Sequence, residues 1–383
     1  MHKNLYKVMF KTIGAVALGV LVVGNEVIAQ SLPWSSAGPV YLSGRCRNMI
    51  VDKANPSGNT LFLGSSTSGL FKSTDAGLNW TNIENSITGP VESIKNISYL
   101  GQAQNNDLII GTGEGFLRPS QKLKSLPGTG LYRLSGNTLT SIANATITGT
   151  EINRIACSPL NSNIFALATN KGILITNDGG ATFVQPASIT FTDNLNYGLD
   201  VKFDGAGILY FSVGNEKTSI PNVDSKVYKS NDVSLTSFTD ITPTSPFVLG
   251  TNYGRIELAV APTNNNVIYA SVARKYLNTS NPAASSLMGL FVSYNGGSTW
   301  AHIFSGSTQL DPLGNGSGTS ASGDFAHTLS VDPLNSDRIY LGSFQMYSYT
   351  KTGMSGSNPV GTWSKIGNHL ALNTGLYLHE NVH

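Results

Sequence analysis

The sequence has little charge and no excess of either sign. Only 12% of its 383 residues are Asp, Glu, Lys or Arg, and Lys and Arg number 24 against 22 acids. This near-neutral balance gives no reason to expect a polyanionic partner, so nucleic acid is not predicted. Because long helices normally carry many charged side chains on their surface, this composition, with 41 Gly, favours turns and short strands.

Long hydrophobic runs are missing after the N-terminus. The first 29 residues contain lysines at 3, 7 and 11, an apolar run at 13–23 and the tripeptide VIA before Gln30, which is the pattern of a cleaved signal peptide. The run is short for a bilayer span. We therefore predict a signal peptide at 1–29, an N-terminal segment at 30–43, export, and no membrane span in the mature chain.

Cysteine is also scarce, since Cys46 and Cys157 are the only two. In an exported chain they could form a disulfide; the alternative is two small buried side chains. Several catalytic and cofactor motifs are missing as well. The sequence contains no P-loop, no nucleotide-binding glycine fingerprint, no Cys-x-x-Cys and no Gly-x-Ser-x-Gly. No cofactor is predicted.

The sequence does contain a repeated hairpin. Residues 69–80 (GLFKSTDAGLNW), 172–183 (GILITNDGGATF) and 289–300 (GLFVSYNGGSTW) share a Gly, apolar residues, Ser or Thr, Asp or Asn, a second Gly and a closing aromatic residue. The apolar residues predict a strand and the aromatic residue begins the next one, so the polar middle is a turn. Structural roles are predicted for the turn acceptors, the turn glycines with positive φ and the packed rings (Asp75, Asp178 and Asn295; Gly77, Gly180 and Gly297; Trp80, Phe183 and Trp300).

The spacing of these hairpins predicts a β-propeller. Pro/Asn-rich turns precede strands throughout the chain, weaker hairpin copies begin at 130 and 226, and a sixth unit covers 323–366. Units of about forty to sixty residues with four short strands have the size of propeller blades. The predicted fold class is all-β, with about six four-stranded blades at 44–368 and the start of a further blade at 369–383.

The turn sequences resemble Asp-box (BNR) repeats, which occur in sialidases, sortilin-type receptors and xyloglucan-cleaving glycoside hydrolases. With GRCRNMIVD at 44–52, LIIGTGEG at 108–115 and DFAHTLSVDPLNSDRIYLGS at 324–343, the chain is most similar to large secreted propellers of Bacteroidetes-type bacteria, often cargo of the type IX secretion system. The resemblance implies a secreted or cell-surface protein that binds a carbohydrate or protein ligand. The unfinished last blade indicates a fragment of a longer chain.

The final residues, HENVH at 379–383, match the H-E-x-x-H pattern of zinc metalloproteases. That chemistry requires both histidines on one face of a helix. LYLHENVH instead resembles the start of an inner strand in similar propellers, with Asn381 where the family tends to have Asp. His379, Asn381 and His383 would then share one face of a strand. No metal site is predicted; weak metal binding on that face is the alternative.

The candidate site is formed by polar residues at the starts of the inner strands, which converge on a propeller's channel. The predicted ligand-binding residues are Arg45, Arg47, Arg154, Arg255, His327 and His379. With Glu114, Asp324 and Glu257 nearby, they could hold a polar ligand such as a glycan. The alternative is that these groups pair with one another and with channel water. A sialidase is disfavoured because its usual Arg-Ile-Pro segment is absent. The competing function is a xyloglucanase-like glycoside hydrolase, with Glu114 and Asp324 as the candidate carboxylate pair.

Overall fold

The computed structural model describes residues 45–368 apart from 56, 115–126, 143, 188, 190–196, 215–224, 245–252, 276–285, 306–311, 314–322, 324–325 and 344. These residues form strands and two short 3-10 helices, Glu84–Ser86 and Val91–Ile94, and include no α-helix. None of the described helices is long and apolar enough to cross a bilayer. The predicted segments 1–29, 30–43 and 369–383 lie outside the described residues.

The strands form antiparallel sheets in chain order. Sheet 1 contains β1 (Cys46–Val51), β2 (Leu61–Ser65), β3 (Gly69–Ser73) and β4 (Thr81–Asn82). Sheet 2 contains β5 (Ile97–Gln102), β6 (Leu108–Thr112), β7 (Leu131–Ser135) and β8 (Thr138–Ile142). Sheet 3 contains β9 (Ile152–Cys157), β10 (Phe165–Thr169) and β11 (Gly172–Thr176), and an isolated bridge from Ile175 to Val184 marks its outer edge.

The second half of the described chain repeats this meander three times. Sheet 4 contains β12 (Tyr197–Phe203), β13 (Leu209–Gly214), β14 (Lys226–Ser230) and β15 (Phe238–Asp240). Sheet 5 contains β16 (Tyr253–Val260), β17 (Ile268–Arg274), β18 (Leu287–Ser293) and β19 (Ala301–Ser305). Sheet 6 contains β20 (Thr328–Asp332), β21 (Asn335–Gly342), β22 (Gln345–Ser355) and β23 (Asn358–Asn368).

The six sheets are blades of a β-propeller, as the sequence predicts. Each first strand contacts the first strand of the next sheet, from β1 through β5, β9, β12 and β16 to β20. The hydrophobic cores lie between consecutive sheets rather than within one sheet. Pairs that share a core represent the five interfaces: Leu70 and Leu100, Ile109 and Leu167, Ala168 and Phe211, Val227 and Ile256, and Leu290 and Ile339.

The repeated hairpin turns have the predicted geometry. In the turn after β11, the hydroxyl of Thr176 donates to Asp178 Oδ1 at 2.8 Å and accepts from the backbone N–H of Gly180 at 2.9 Å. Asp178 also accepts from the backbone N–H and the hydroxyl of Thr182. These bonds from Thr182 and Thr176 hold the Asp178 pKa well below its ordinary value. The turn glycines Gly77, Gly180 and Gly297 have φ values of 87°, 99° and 88°.

The same turns also dock onto the preceding sheet, which the sequence did not reveal. A Cβ atom on Gly180 would lie 2.5 Å from Ile142 of sheet 2, and one on Gly297 would lie 2.5 Å from Ile241, just after sheet 4. Arg133 of β7 donates to the carbonyl of Gly179 at 3.0 Å. Phe183 packs against the core between sheets 2 and 3, and Trp300 packs against the core between sheets 4 and 5. Trp80 of the first turn is also half-buried.

The two cysteines are not bridged. Cys46 and Cys157 are free thiols of intermediate exposure, so the disulfide interpretation is wrong. Burial raises the pKa of the Cys157 thiol to about 12. Burial also raises the pKa of the Cys46 thiol, so both thiols are protonated at neutral pH and poorly suited to nucleophilic chemistry.

Candidate functional site

The predicted ligand-binding residues that the structure describes lie at the starts of the inner strands. Arg154 is the third residue of β9, Arg255 is the third of β16, and His327 directly precedes β20. All three side chains are buried. Asp324 and His379 lie outside the described residues.

Glu257 of β16 is the centre of the buried cluster. Its Oε1 lies 3.1 Å from Arg154 Nη2, 2.7 Å from Arg255 Nε and 2.5 Å from Arg255 Nη2. Burial opposes ionisation of Glu257, but the two guanidinium groups outweigh it and hold its pKa well below the ordinary value. Because Arg154 belongs to sheet 3 and Glu257 to sheet 5, this ion pair passes the inner strand of sheet 4.

Asp200 of β12 occupies that intervening strand. Its Oδ2 accepts from the backbone N–H of Leu258 at 2.8 Å, and its Oδ1 contacts Lys202 Nζ and lies 4.0 Å from Arg154 Nε. Burial lowers the pKa of Lys202, but Asp200 outweighs this effect and raises it. The guanidinium of Arg154 also stands 5.2 Å above the Tyr99 ring of β5. Arg154 and Asp200 thus connect four consecutive inner strands.

Further polar side chains bind the backbone of the next inner strand. Asn48 Oδ1 accepts from Leu100 N at 2.9 Å, and Asn153 Nδ2 donates to Gly198 O at 2.9 Å. Arg255 Nη2 donates to His327 O at 3.3 Å. Sequence reasoning missed Asn48, Asn153 and Asp200. The available signal was a polar residue inside each otherwise apolar inner strand, as in RNMIV, INRIA and GLDVK.

His327 is buried and neutral. Its Nε2 lies 2.7 Å from Ser271 Oγ, and both side chains are fully buried. Burial lowers the pKa of His327 to about 3 despite the nearby Glu257 carboxylate. A serine and a histidine at this distance could in principle act as a nucleophile and its general base. Neither side chain is accessible to a substrate, so the contact is part of the structural network.

Arg45, Arg47 and Glu114 form a second, more accessible group. Arg45 precedes β1 and its guanidinium contacts Glu114, two residues after β6; Arg47 Nη1 lies 4.0 Å from Glu114 Oε1. The Arg45 side chain is 32% exposed, whereas those of Arg47 and Glu114 are 9% and 7% exposed. Of the described predicted site residues, Arg45 is therefore the one that a ligand reaches most readily.

The described part of the chain brings no three His, Cys, Asp or Glu side chains together in an arrangement that could hold a metal ion. HENVH lies outside that part. The strand interpretation of this motif stays a prediction.

Comparison with known proteins supports the fold. No protein-family model matches the chain, and no curated protein matches it. Among solved structures, it is similar to the GH74 enzyme of Niastella koreensis (TM-score 0.57, 20% identity, covering 83% of this chain and 46% of the enzyme). It is also similar to the GH74 xyloglucanase from Xanthomonas campestris (TM-score 0.58, 14% identity, 84% and 47% covered) and to an ancestral GH74 enzyme (TM-score 0.55, 18% identity, 85% and 39% covered). The chain spans less than half the length of each, and its fold is a β-propeller like those in these enzymes.

Proposed function

We propose that this chain is an exported Asp-box β-propeller, secreted or held at a bacterial cell surface as type IX secretion cargo, whose role is to bind a carbohydrate or protein ligand. One observation carries the binding role. Three carboxylates in or near the inner strands contact an arginine or a lysine: Glu114 contacts Arg45, Glu257 contacts Arg154 and Arg255, and Asp200 contacts Lys202.

Such pairing is unsuited to acid–base cleavage of a glycosidic bond. A glycosidase needs one carboxyl group that is protonated at working pH and a second across the cleft. A neighbouring cation favours the ionised form and holds the pKa of Glu257 well below its ordinary value, so this carboxylate is a poor proton donor. Burial raises the pKa of Asp200 despite the contact with Lys202, but Asp200 is fully buried and accepts from the backbone N–H of Leu258, so it does not face a substrate. The partly exposed side chain of Arg45 can instead donate hydrogen bonds to a polar ligand without any reaction.

A second candidate function is supported by the likeness to GH74 enzymes, one of which is named a xyloglucanase. In this alternative Glu114 and Asp324 are the catalytic carboxylates, and Arg45 would have to release Glu114 when substrate binds. The likeness at 20% identity or less supports the propeller and leaves the chemistry to experiment.

The experiment compares binding with cleavage. The purified chain is incubated with xyloglucan and a panel of plant and host polysaccharides, and reducing ends are measured for wild type, Glu114→Gln and Asp324→Asn. A glycan array and a cell-surface protein pull-down measure binding, with Arg45→Ala as the variant expected to weaken it. We expect the chain to bind its ligand without releasing reducing ends. Reducing ends that disappear in either carboxylate variant would establish the hydrolase instead.

Export is tested separately. We expect the protein recovered outside the cytoplasm of its bacterial host to begin at Gln30, which N-terminal sequencing detects. Recovery of the chain with residues 1–29 still attached, inside the cell, would contradict the export proposal.

A further inference from the structure

A cavity of about 590 Å³ lies between sheets 4 and 5. Its wall combines β14 and β15 with the turn that precedes β19. The volume falls within the range of roughly 300–1,000 Å³ that is typical of small-molecule sites. The side chains that matter most for its chemistry are Lys229, Asp240, Thr242, Thr299 and Trp300. We call this cavity the Lys229 pocket; it is separate from the inner-strand charges described above.

The Lys229 ammonium gives the pocket a positive charge that no carboxylate in the described part of the chain neutralises. Lys229 stands 5.6 Å above the ring of Tyr210, its cross-strand partner on β13, and no carboxylate among the described residues forms an ion pair with it. Asp240 lines the same wall, but its Oδ2 lies 2.8 Å from Lys226 Nζ and its Oδ1 accepts from the Thr242 hydroxyl at 2.6 Å. The pocket therefore favours an anionic ligand.

The turn beside the pocket differs from the turns at Asp75 and Asp178 in a way that favours binding of an anion. Asn295 replaces the aspartate, which removes one negative charge. Its Oδ1 accepts from the Thr299 backbone N–H at 2.8 Å, so its Nδ2 faces the Thr299 hydroxyl and donates to it at 2.8 Å. In the Asp178 turn the equivalent hydroxyl, that of Thr182, donates to the carboxylate. Because the Thr299 hydroxyl accepts from Asn295, its own O–H is available to donate to a ligand.

Trp300 supplies a fixed aromatic surface. Its indole N–H donates to the carbonyl of Ile241 at 2.6 Å, and its ring packs against the core between sheets 4 and 5. The hydroxyl-bearing residues Thr239, Thr244 and Ser298 share the lining. An aromatic ring beside hydroxyl groups complements a pyranose, which offers apolar C–H faces and a rim of hydroxyls.

From these features we infer that the Lys229 pocket binds a uronic acid residue, with the carboxylate on Lys229 and the Thr299 hydroxyl and the sugar ring against Trp300. This inference does not rest on the proposed function, because it uses a different part of the fold and is silent on cleavage. A free uronate and a uronate within a polysaccharide present the same chemistry. The two sources differ in whether neighbouring sugars add affinity.

A second cavity provides a matched control. It lies between sheets 1 and 2, has a volume of about 530 Å³, and is lined by Lys72, which stands 5.3 Å above its own cross-strand partner Phe62. Asp52 also lines this cavity, and the partners found for its carboxylate are the uncharged groups Ala54 N and Gln102 Nε2. A lysine above an aromatic ring thus occurs in both cavities. In the cavity between sheets 1 and 2, however, Asp52 also lines the wall without a cationic partner among the described residues, and no tryptophan is part of the lining.

The test is a calorimetric titration of the full chain. The probes are sodium glucuronate, sodium galacturonate and trigalacturonate, with glucose, galactose and a neutral trisaccharide as comparisons. The variants are Lys229→Gln, Asn295→Asp and the control Lys72→Gln, each checked for folding by thermal melting. An ionic hydrogen bond contributes enough that its loss weakens binding about tenfold or more.

We expect acidic sugars to bind at least tenfold more tightly than neutral ones, and Lys229→Gln and Asn295→Asp to remove most of that preference. Lys72→Gln should leave the affinity unchanged. Equal affinity for the galacturonate monomer and trimer assigns the pocket to single residues, and tighter binding of the trimer assigns it to a polysaccharide; both results support the inference. Equal binding of neutral sugars, equal losses in Lys229→Gln and Lys72→Gln, or no binding at millimolar ligand would overturn it.

Discussion

The inner-strand cluster and the Lys229 pocket are two polar regions of one propeller that differ in whether their charged groups are paired. At the inner strands, Arg154, Arg255 and Glu257 are buried and bind one another. At the outer interface of sheets 4 and 5, Lys229 is half-buried and no described carboxylate pairs with it. The difference indicates that the central charges join the sheets, whereas the peripheral lysine is left for a ligand.

The contrast follows from what burial demands. A buried charge without a partner costs several kcal/mol, so the inner-strand groups must satisfy one another before they can serve any ligand. A half-buried ammonium keeps part of its hydration, so leaving it without an acidic partner costs little free energy. Mutations should therefore affect stability at the first region and binding at the second.

The largest expected effect is that of Glu257→Gln. The change keeps the shape of the side chain but leaves Arg154 and Arg255 buried without their carboxylate, so we expect a loss of about 3–5 kcal/mol in the free energy of unfolding, measured by urea denaturation. Glu92→Gln is the control, because Glu92 is 85% exposed and pairs with Lys95 at 3.8 Å. It should change stability by less than about 0.5 kcal/mol. Similar losses in both variants would refute the role of the cluster.

Gly297→Ala should come next and tests the wall of the Lys229 pocket. The new Cβ would lie 2.5 Å from Ile241 at a φ of 88°, so strain and overpacking together should cost about 2–4 kcal/mol in unfolding free energy. In Gly136→Ala the φ is 56° and nothing lies within 4 Å, so only the backbone strain of about 1–2 kcal/mol is expected. Equal losses would mean that the turn does not dock tightly on the preceding sheet.

A smaller effect is expected from the pH dependence of His327. Its pKa of about 3 in the folded chain lies below the ordinary 6.5, so the unfolded chain binds the proton first as the pH falls. Stability is complete above about pH 6.5 and should fall by about 2 kcal/mol between pH 7 and pH 5, before most carboxylates titrate. Urea denaturation at a series of pH values should give this slope for wild type and a shallower one for His327→Gln. Identical slopes would show that His327 is not buried as a neutral group.

The smallest stability effect belongs to the pocket variants. Lys229→Gln removes no ion pair formed with the described residues, so its unfolding free energy should stay within about 0.5 kcal/mol of wild type. A loss of several kcal/mol would show that Lys229 holds the two sheets together and would erase the contrast with the inner strands. The same denaturation series that serves Glu257→Gln measures both.

The sequence revealed the hairpins because their chemistry is local. Asp178, Gly180 and Thr176 are within five residues of one another, so a repeated pattern of Ser or Thr, any residue, Asp or Asn, any residue and Gly defines the turn and, through its spacing, the propeller. Arg154 and Arg255 lie near the starts of β9 and β16, and their predicted role in ligand binding stays a prediction. The predicted alternative, mutual pairing, describes their geometry.

Contacts between distant residues were not available from the sequence. The pairing of Arg154 with Glu257 joins residues 103 positions apart, and the docking of Gly297 on Ile241 depends on how two sheets pack. The hydrogen bond from Asn295 to the Thr299 hydroxyl is local, but the sequence does not show that this turn lies beside Lys229. Without that contact, the replacement of Asp by Asn does not indicate an anion site. Asp324 and His379 lie outside the described residues, and their predicted roles stay predictions.

The most direct measurement of the central claim combines stability and binding in two variants. Unfolding free energy and trigalacturonate affinity are measured for Glu257→Gln and Lys229→Gln under conditions in which both are folded. We predict that Glu257→Gln loses stability and keeps its affinity, while Lys229→Gln keeps its stability and loses about tenfold or more in affinity. If Glu257→Gln lost affinity while Lys229→Gln did not, the ligand site would lie at the inner strands and the account would be wrong.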